Sequence, residues 1–380
     1  MREVVIAGVG MHRFGRFDNE PYTEIGREAV VAALKDANVA WKDIQAAFCA
    51  RMYLPATSGL RILSKLGLTG IPIVDVECAC ASGGAGLRLA YQAVASGFYD
   101  TVLVFGVEKM PRGFMDPRNI YEEWQCLMGI GINPMYWALM ERRHMEDYGT
   151  TIEQIAQVSV KNHKHGSLNP YAMYQKACTM DEVLNSRLVC DPTTLLMLCA
   201  PDEGAAAAVI CTREVAKRLG SRPVTIATSA LKTALYPQRR GPAFSMSAKL
   251  DPPQVTTMAA REAYEMAGIG PEDLDVVELQ DTDAFSEILY SEQLGLCKSG
   301  EGGPLIQSRA TEIGGTLPVN PSGGLISKGE PVGASALGQI CELVWQLRGD
   351  AGPRQVAGAK VAMGHVVGAG DNCAVTILKK

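Results

Sequence analysis

The feature that most constrains the fold of this chain of 380 residues is a repeated pattern of predicted helix, turn and strand. Residues 33–44 form the end of an amphipathic helix and a short turn, and they lead into a predicted strand at 46–49. Residues 263–274, which lie 230 residues later, follow the same plan and lead into a strand at 276–279. Each match is weak alone, but the shared order of elements predicts a duplicated fold, and the chain is too long for one ordinary core.

Both halves continue with elements that are typical of an α/β protein. The further predicted elements are a strand at 71–76, a small-residue helix at 83–96, a strand at 101–107, a helix at 333–348 and strands at 360–365 and 373–378. Two halves of this composition predict two sheets with helices between and outside them.

Residues of about 111–199 break this alternation with prolines, short helical stretches and segments rich in Tyr and Met. A run of about 90 residues is far longer than an ordinary loop. We therefore predict an inserted loop domain that covers the substrate. The predicted division is 1–245 for the N-terminal half with this insertion and 246–380 for the C-terminal half.

Composition excludes several classes of function. The net charge is −5 and no long Lys/Arg block occurs, so we expect no nucleic-acid partner. No run of about 18 apolar residues predicts a membrane span. Eleven cysteines without a secretory signal indicate free thiols in a reducing compartment, and we predict a cytoplasmic location. Because no cysteine pairs have zinc-ligand spacing, we predict no metal site.

Cys80 lies between a predicted buried strand and a glycine-rich helix start. Free backbone N–H groups and the positive end of the helix dipole favour a thiolate there, as in reactive cysteines. Most of the other cysteines are expected to be packing residues. Cys80 is therefore the candidate nucleophile, with Cys78 as a packing neighbour.

Five motifs in order carry a family resemblance. They are Cys-Ala-Ser-Gly-Gly-Ala at 80–85, Gly-Val-Glu-Lys-Met at 106–110, Asn-Pro-Tyr-Ala-Met at 169–173, Cys-Asp-Pro at 190–192 and Asn-Pro-Ser-Gly-Gly at 320–324. The chain resembles the thiolase superfamily over essentially its whole length. It is most similar to the branch of sterol-carrier-protein thiolases and archaeal and bacterial acetyl-CoA acetyltransferases.

The resemblance implies a duplicated five-layer αβαβα fold with an inserted loop domain. It also implies an acyltransferase in which Cys80 attacks a 3-oxoacyl-CoA carbonyl and forms an acyl-enzyme. Coenzyme A is then a substrate, and no cofactor is covalently bound.

Three positions depart from the family pattern. Glu330 replaces the histidine that activates the nucleophile in the family. The His/Asn position of the second motif falls on Gln280 or on Thr282, depending on the alignment, and neither alignment supplies the family's second cysteine. His365 is the candidate catalytic imidazole, with a buried structural histidine as the alternative. Cys80, Glu330, His365 and Gln280 are the predicted catalytic residues.

These departures predict a bulky, aromatic or carboxylated substrate, such as a benzoylsuccinyl-CoA-like ester. Two alternatives stay open: a retro-aldolase of the same fold that acts on a 3-hydroxyacyl-CoA, and a non-catalytic CoA-binding subunit of a complex. The resemblance further implies a homodimer core and a small zinc-containing OB-fold partner protein. The acyl substrate and the direction of the reaction stay undetermined at this stage.

Overall fold

The computed structural model describes residues 2–114, 116, 118, 123–129, 131–235, 254–369 and 372–380. The strands in this part of the chain are β1 (Val4–Gly15), β2 (Ala46–Ala50), β3 (Ile73–Val76), β4 (Thr101–Lys109), β5 (Leu188–Cys190), β6 (Thr193–Thr194), β7 (Glu203–Thr212), β8 (Val224–Thr233), β9 (Val276–Glu278), β10 (Val361–Gly368) and β11 (Asn372–Lys379).

The helices in the same ranges are α1 (Tyr22–Asp36), α2 (Ser58–Leu63), α3 (Ser82–Ala95), α4 (Glu123–Leu127), α5 (Pro134–Tyr148), α6 (Ile152–Gly166), α7 (Met180–Leu184), α8 (Arg213–Leu219), α9 (Val255–Ala267), α10 (Ala284–Gln293), α11 (Gly302–Gln307), α12 (Gly324–Ser327) and α13 (Val332–Arg348). The predicted strands and helices of both halves are present, with bounds shifted by no more than a few residues.

The sheet shows the duplication directly. Its strand order is β3-β2-β4-β7-β1-β8-β11-β10-β9. In the first half, β2 and β4 are parallel, and β4, β7 and β1 are antiparallel neighbours. In the second half, β9 and β10 are parallel, and β10, β11 and β8 are antiparallel neighbours. The two halves therefore have the same topology and meet at the equivalent strands β1 and β8.

The junction between the halves differs from the prediction of two separate sheets. Strand β1 pairs with β8 at two positions, Val5 with Thr225 and Ile6 with Val224. These pairs satisfy backbone groups that two isolated sheet edges would leave open. The halves are thus joined into one mixed sheet of nine strands.

Helices α3 and α13 form the central layer, because each of them contacts strands of both halves. Helices α1 and α8 pack on the strands of the first half, and α9 packs on β8 and β11 of the second, with α10 beside it. All but two of the seventeen residues of α13 are buried, which is typical of a helix enclosed on every side. The layers follow the predicted αβαβα order.

The segment from 111 to 199 contains α4 to α7 and the short hairpin of β5 and β6. Helix α6 starts with a capping box, in which Thr151 Oγ1 accepts from the Gln154 N–H and Gln154 Oε1 accepts from the Thr151 N–H. Helix α6 packs against α10, α11 and α12 of the second half. The division into domains stays a prediction, and its boundary at 245/246 lies outside the described residues.

Of the helices that the structure describes, none combines the length and the apolar character that crossing a membrane requires.

The contact between β4 and the start of α13 requires a glycine at position 106. A Cβ atom at Gly106 would lie 2.1 Å from the Gly333 carbonyl oxygen and 2.9 Å from Ala334 Cα. We therefore expect Gly106→Ala to lower the free energy of unfolding by about 1–3 kcal/mol, as overpacking does elsewhere. Urea titration followed by circular dichroism measures this.

Gly131→Ala is the matched control, because a Cβ there meets no atom closer than 3.9 Å. Equal unfolding midpoints for the two variants would contradict the proposed close approach.

Candidate active site

Cys80 lies in a tight turn between β3 and α3, where Ser82 closes the backbone. The Ser82 hydroxyl accepts from the Cys78 N–H at 2.8 Å and donates to the Ala79 carbonyl at 2.5 Å. Ala79 has a positive φ of 51°, so the chain reverses immediately before the thiol. The turn presents Cys80 at the wall of a pocket.

The end of β10 approaches this turn closely. A Cβ at Gly368 would lie 2.1 Å from the Cys78 carbonyl oxygen, so only glycine fits there. The next residue, Ala369, directs its backbone N–H at the Cys80 sulfur. A backbone donor is thus placed beside the nucleophile, where it can stabilise negative charge.

Burial raises the pKa of the Cys80 thiol well above its ordinary value, and the nearby Glu330 carboxylate raises this pKa further. The Ala369 N–H and the Gln280 amide act in the opposite direction but are the smaller influences. The thiolate expected from the helix start alone is therefore disfavoured at rest, because removal of water and a negative neighbour outweigh the helix dipole. Cys80 needs a base.

Glu330 is placed to be that base. Its buried carboxylate is hydrogen-bonded to the thiols of Cys199 and Cys80 and to the Gln280 amide. Burial raises the pKa of Glu330, and these three hydrogen bonds only partly offset that rise. A carboxylate with a raised pKa accepts a proton from a thiol more readily than an ordinary one.

Gln280 follows β9 and has a fixed orientation. Its Oε1 accepts a hydrogen bond from the Val367 N–H, and its Nε2 donates to Glu330 Oε1 at 3.3 Å. The same amide is a hydrogen-bond partner of Cys80. Of the two sequence alignments, the structure therefore places Gln280 at the nucleophile. Thr282 also lines the pocket, and its backbone carbonyl accepts from the Cys199 N–H at 2.9 Å.

His365 lies outside this group, behind the pocket wall. Its Nε2 is 3.2 Å from Thr256 Oγ1 on α9, and its ring centroid is 4.8 Å from that of Tyr290 on α10. Burial lowers the pKa of this histidine to about 3, so the ring is neutral. Successive side chains of a strand point to opposite faces, and it is the neighbouring Val366 that packs beside Cys80. A catalytic role for His365 stays a prediction.

Cys199 is a site residue that the sequence analysis did not single out. It comes just before β7, is partly exposed, lines the pocket and is hydrogen-bonded to Glu330. Its position depends on contacts distant in sequence: the Glu330 N–H donates to the Ala200 carbonyl, and Leu198 bridges to Asp283. No local sequence signal announces such a placement.

The pocket has a volume of about 300 Å³. Phe114, Trp137 and Tyr290 contribute aromatic surface to its wall. Two cations line it as well. Arg16 donates to the carbonyls of Met110 and Pro201, whereas the guanidinium of exposed Arg187 has no hydrogen bond or ion pair among the described residues.

One group of described residues has donors close enough for a metal ion: His12, Glu20 and Glu28, whose ligand atoms lie within 4.8 Å of one another. None of the three lines the pocket. His12 Nε2 lies 3.6 Å from a Glu20 oxygen, as in an ordinary ion pair. The prediction that the chain has no metal site stays a prediction.

Comparison with family models gives two matches. The description "Thiolase, N-terminal domain" matches residues 4–179, and "Thiolase C-terminal domain-like" matches residues 240–380.

Three similar proteins illustrate the range of relatives. The chain is 40% identical to the acetyl-CoA acetyltransferase of Methanothermobacter thermautotrophicus, over 100% of both chains. It is 38% identical to sterol carrier protein 2 of Bos taurus, over 99% of this chain and 72% of the relative. It is 36% identical to the benzoylsuccinyl-CoA thiolase subunit BbsB of Thauera aromatica, over 97% of this chain and 95% of the relative.

A solved structure with the same fold is the Ltp2-ChsH2(DUF35) aldolase. It superposes with a TM-score of 0.86 at 24% identity and covers 99% of this chain and 97% of that chain.

The contact between Glu330 and Cys80 can be tested through thiol reactivity. In Glu330→Gln a neutral amide replaces the carboxylate, which removes two influences that raise the Cys80 pKa. We expect the pKa of this thiol to fall, so that alkylation by iodoacetamide proceeds at lower pH than in the wild type. The rate is measured against pH by mass spectrometry of the peptide that contains Cys80.

Glu141→Gln is the control, because Glu141 is also buried, burial raises its pKa to about 8, and it lies outside the pocket. We expect its alkylation profile to match the wild type. A Glu330→Gln profile that is unchanged, or shifted to higher pH, would show that the carboxylate does not act on this thiol.

Proposed function

Because this chain belongs to the thiolase family, whose members are acyltransferases that use coenzyme A as a substrate, we propose that it cleaves or forms the C2–C3 bond of a 3-oxoacyl-CoA through an acyl-enzyme on Cys80. The family, the fold class and the acyltransferase class that the sequence predicted are confirmed by these matches. The observation that carries the proposal is the contact of the Cys80 thiol with the Glu330 carboxylate in a pocket.

The first half-reaction starts with transfer of the Cys80 proton to Glu330. The thiolate adds to the C3 carbonyl, and the resulting tetrahedral oxyanion collapses with cleavage of the C2–C3 bond. The electron pair leaves as the enolate of the shorter CoA thioester, which takes up a proton. Cys80 keeps the remaining acyl group as a thioester.

Donors for developing negative charge surround the nucleophile. The Ala369 N–H and the Gln280 amide both lie beside the Cys80 sulfur. Because Gln280 is held by Val367 and Glu330, its amide needs little reorganisation during the reaction. In the second half-reaction, the thiol of coenzyme A loses a proton to Glu330 and attacks the Cys80 thioester.

The acyl substrate proposed is bulky, aromatic or carboxylated, such as a benzoylsuccinyl-CoA-like ester. Aromatic side chains on the pocket wall provide apolar surface for an aryl group. The unpaired guanidinium of Arg187 is suited to a substrate carboxylate. A relative that is 36% identical bears the name of a benzoylsuccinyl-CoA thiolase subunit.

Retro-aldol cleavage of a 3-hydroxyacyl-CoA is the second candidate. It is favoured by the name of the solved structural neighbour, which is an aldolase, and by Glu330, a carboxylate that can take a hydroxyl proton without an acyl-enzyme. This reaction does not require a nucleophilic thiol at position 80.

For assembly, we propose a homodimer core with a small zinc-containing OB-fold partner, in the cytoplasm. One relative is named as a subunit, and the solved neighbour is named as a two-component aldolase. Exposed apolar side chains such as Leu127 and Met128 provide surface for a partner. Full turnover by the isolated chain would contradict the need for a partner, and it would also exclude a non-catalytic subunit.

The acyl-enzyme is tested with a panel of 3-oxoacyl-CoA esters and intact-mass spectrometry. We expect wild-type protein to gain one acyl mass on Cys80. Cys80→Ala should lose the adduct and at least about 1,000-fold in turnover, because the chemistry then lacks its nucleophile. Cys190→Ala, a change outside the pocket, serves as the control and should keep both. Full activity of Cys80→Ala would favour the retro-aldol reaction.

The role of Arg187 is tested by comparing benzoylsuccinyl-CoA with benzoylacetyl-CoA, which lacks the additional carboxylate. We expect Arg187→Met to lower kcat/KM for the first ester by about 10- to 100-fold and to leave the second nearly unchanged. Arg261→Met removes an exposed arginine on α9 and should affect neither. An equal loss for both esters would instead place Arg187 on the CoA moiety that they share.

A further inference from the structure

Two thiols from distant parts of the chain contact one carboxylate in this pocket. Cys80 comes from the turn before α3, Cys199 from the segment before β7, and both are hydrogen-bonded to Glu330. Of the eleven cysteines, all of which are described, these two alone line the pocket. The arrangement provides two exchangeable S–H protons and a single acceptor between them.

The surroundings of Cys199 differ from those of the packing cysteines. Cys341 is fully buried, and its thiol donates to the backbone carbonyls of Gly10 and Ala207. Cys373 is fully buried, and its thiol donates to Thr256 Oγ1. Cys199, in contrast, is partly exposed towards the pocket and contacts an ionisable carboxyl group.

Backbone hydrogen bonds hold Cys199 on both sides. Its own N–H donates to the Thr282 carbonyl, and the Ala200 carbonyl accepts from the Glu330 N–H, each at 2.9 Å. A parallel bridge between Pro201 and Glu330 extends this pairing. The thiol and the carboxylate are therefore placed on two paired extended segments, so their relative position depends on backbone pairing as well as on side-chain rotamers.

We infer that Cys199 is a second catalytic thiol, which protonates C2 of the departing enolate in the cleavage direction and removes that proton in the synthetic direction. This inference rests on the proposed function of the same pocket. Cys80 remains the acyl carrier, and Glu330 serves both thiols.

The protons balance without any further reactant. Glu330 takes the Cys80 proton as the Cys80 thiolate attacks C3. When the C2–C3 bond breaks, the Cys199 S–H gives its proton to C2, which completes the shorter thioester. The proton on Glu330 then passes to the Cys199 thiolate, and the carboxylate is free to accept the proton of the incoming coenzyme A thiol. The second half-reaction returns that proton to Cys80.

The environment of Cys199 agrees with a donor that is protonated at rest. Desolvation by the surrounding protein raises the pKa of this thiol well above its ordinary value, and the Glu330 carboxylate raises it further. An enolate is a strong base and can still take this proton, since the thiolate that forms is neutralised from Glu330.

The test is exchange of the C2 protons of acetyl-CoA and succinyl-CoA with D₂O, followed by proton NMR. We expect wild-type protein to catalyse exchange with at least one of the two thioesters. Both Cys199→Ala and Cys199→Ser should slow it by about 100-fold or more, the range lost with a general acid–base group. Cys190→Ala is the matched control and should exchange at the wild-type rate.

The serine variant distinguishes catalysis from positioning. Serine can keep a hydrogen bond to Glu330, but its hydroxyl is far less acidic than a thiol. Restoration of exchange in Cys199→Ser would show that Cys199 only orients Glu330, and this would overturn the inference. Alkylation of Cys80 at the wild-type rate in both variants verifies that the pocket is intact.

Two further outcomes separate this inference from the proposed function. Wild-type protein that exchanges C2 protons but forms no acyl adduct would contradict the acyl-enzyme on Cys80 and leave Cys199 supported. A wild-type acyl adduct together with unimpaired exchange in Cys199→Ala would overturn the role of Cys199 alone. Absence of exchange in the wild type also overturns it.

Discussion

The buried carboxylate of Glu330 is the interaction on which the site depends. It accepts from two thiols and from the Gln280 amide, and its own backbone N–H is bonded to Ala200. A carboxylate without water is stable only where donors surround it, and here the donors are themselves the reacting groups. The same desolvation that raises the pKa of this carboxyl group also raises that of both thiols. The protons of the site are therefore held close in energy.

A polar network behind the pocket holds the loop that carries Glu330. Glu278 at the end of β9 accepts from the backbone and hydroxyl of Ser322 and pairs with buried Lys328 at 3.2 Å. Asp281 accepts from the Leu325 N–H at 2.6 Å, at the start of α12. Because each of these buried charges is satisfied by the others, loss of one partner would leave an uncompensated charge and loosen the loop. The network thus converts the position of β9 into the position of Glu330.

Replacement of an imidazole by a carboxylate changes how such a site rests. A histidine can hold a thiolate as an ion pair, whereas a carboxylate beside a thiol keeps it protonated. In this protein both pocket thiols are therefore neutral before substrate arrives, and charge develops only when a carbonyl is present to receive it. The fixed donors around Cys80, the Ala369 N–H and the Gln280 amide, then meet a charge that did not exist in the resting state.

The amino-acid sequence by itself determined the duplication, the order of strands and helices, the family and the turn that carries Cys80. These follow from local periodicity, from glycine-rich turns and from motifs that are contiguous in the chain. Only the tertiary structure decided that Gln280 reaches the nucleophile, that His365 packs behind Tyr290 and that Cys199 joins Glu330. Each of these outcomes depends on which face of a strand a side chain takes, or on backbone pairing between segments more than 80 residues apart. Such pairing is selected by packing of the whole core, and no local run of residues encodes it.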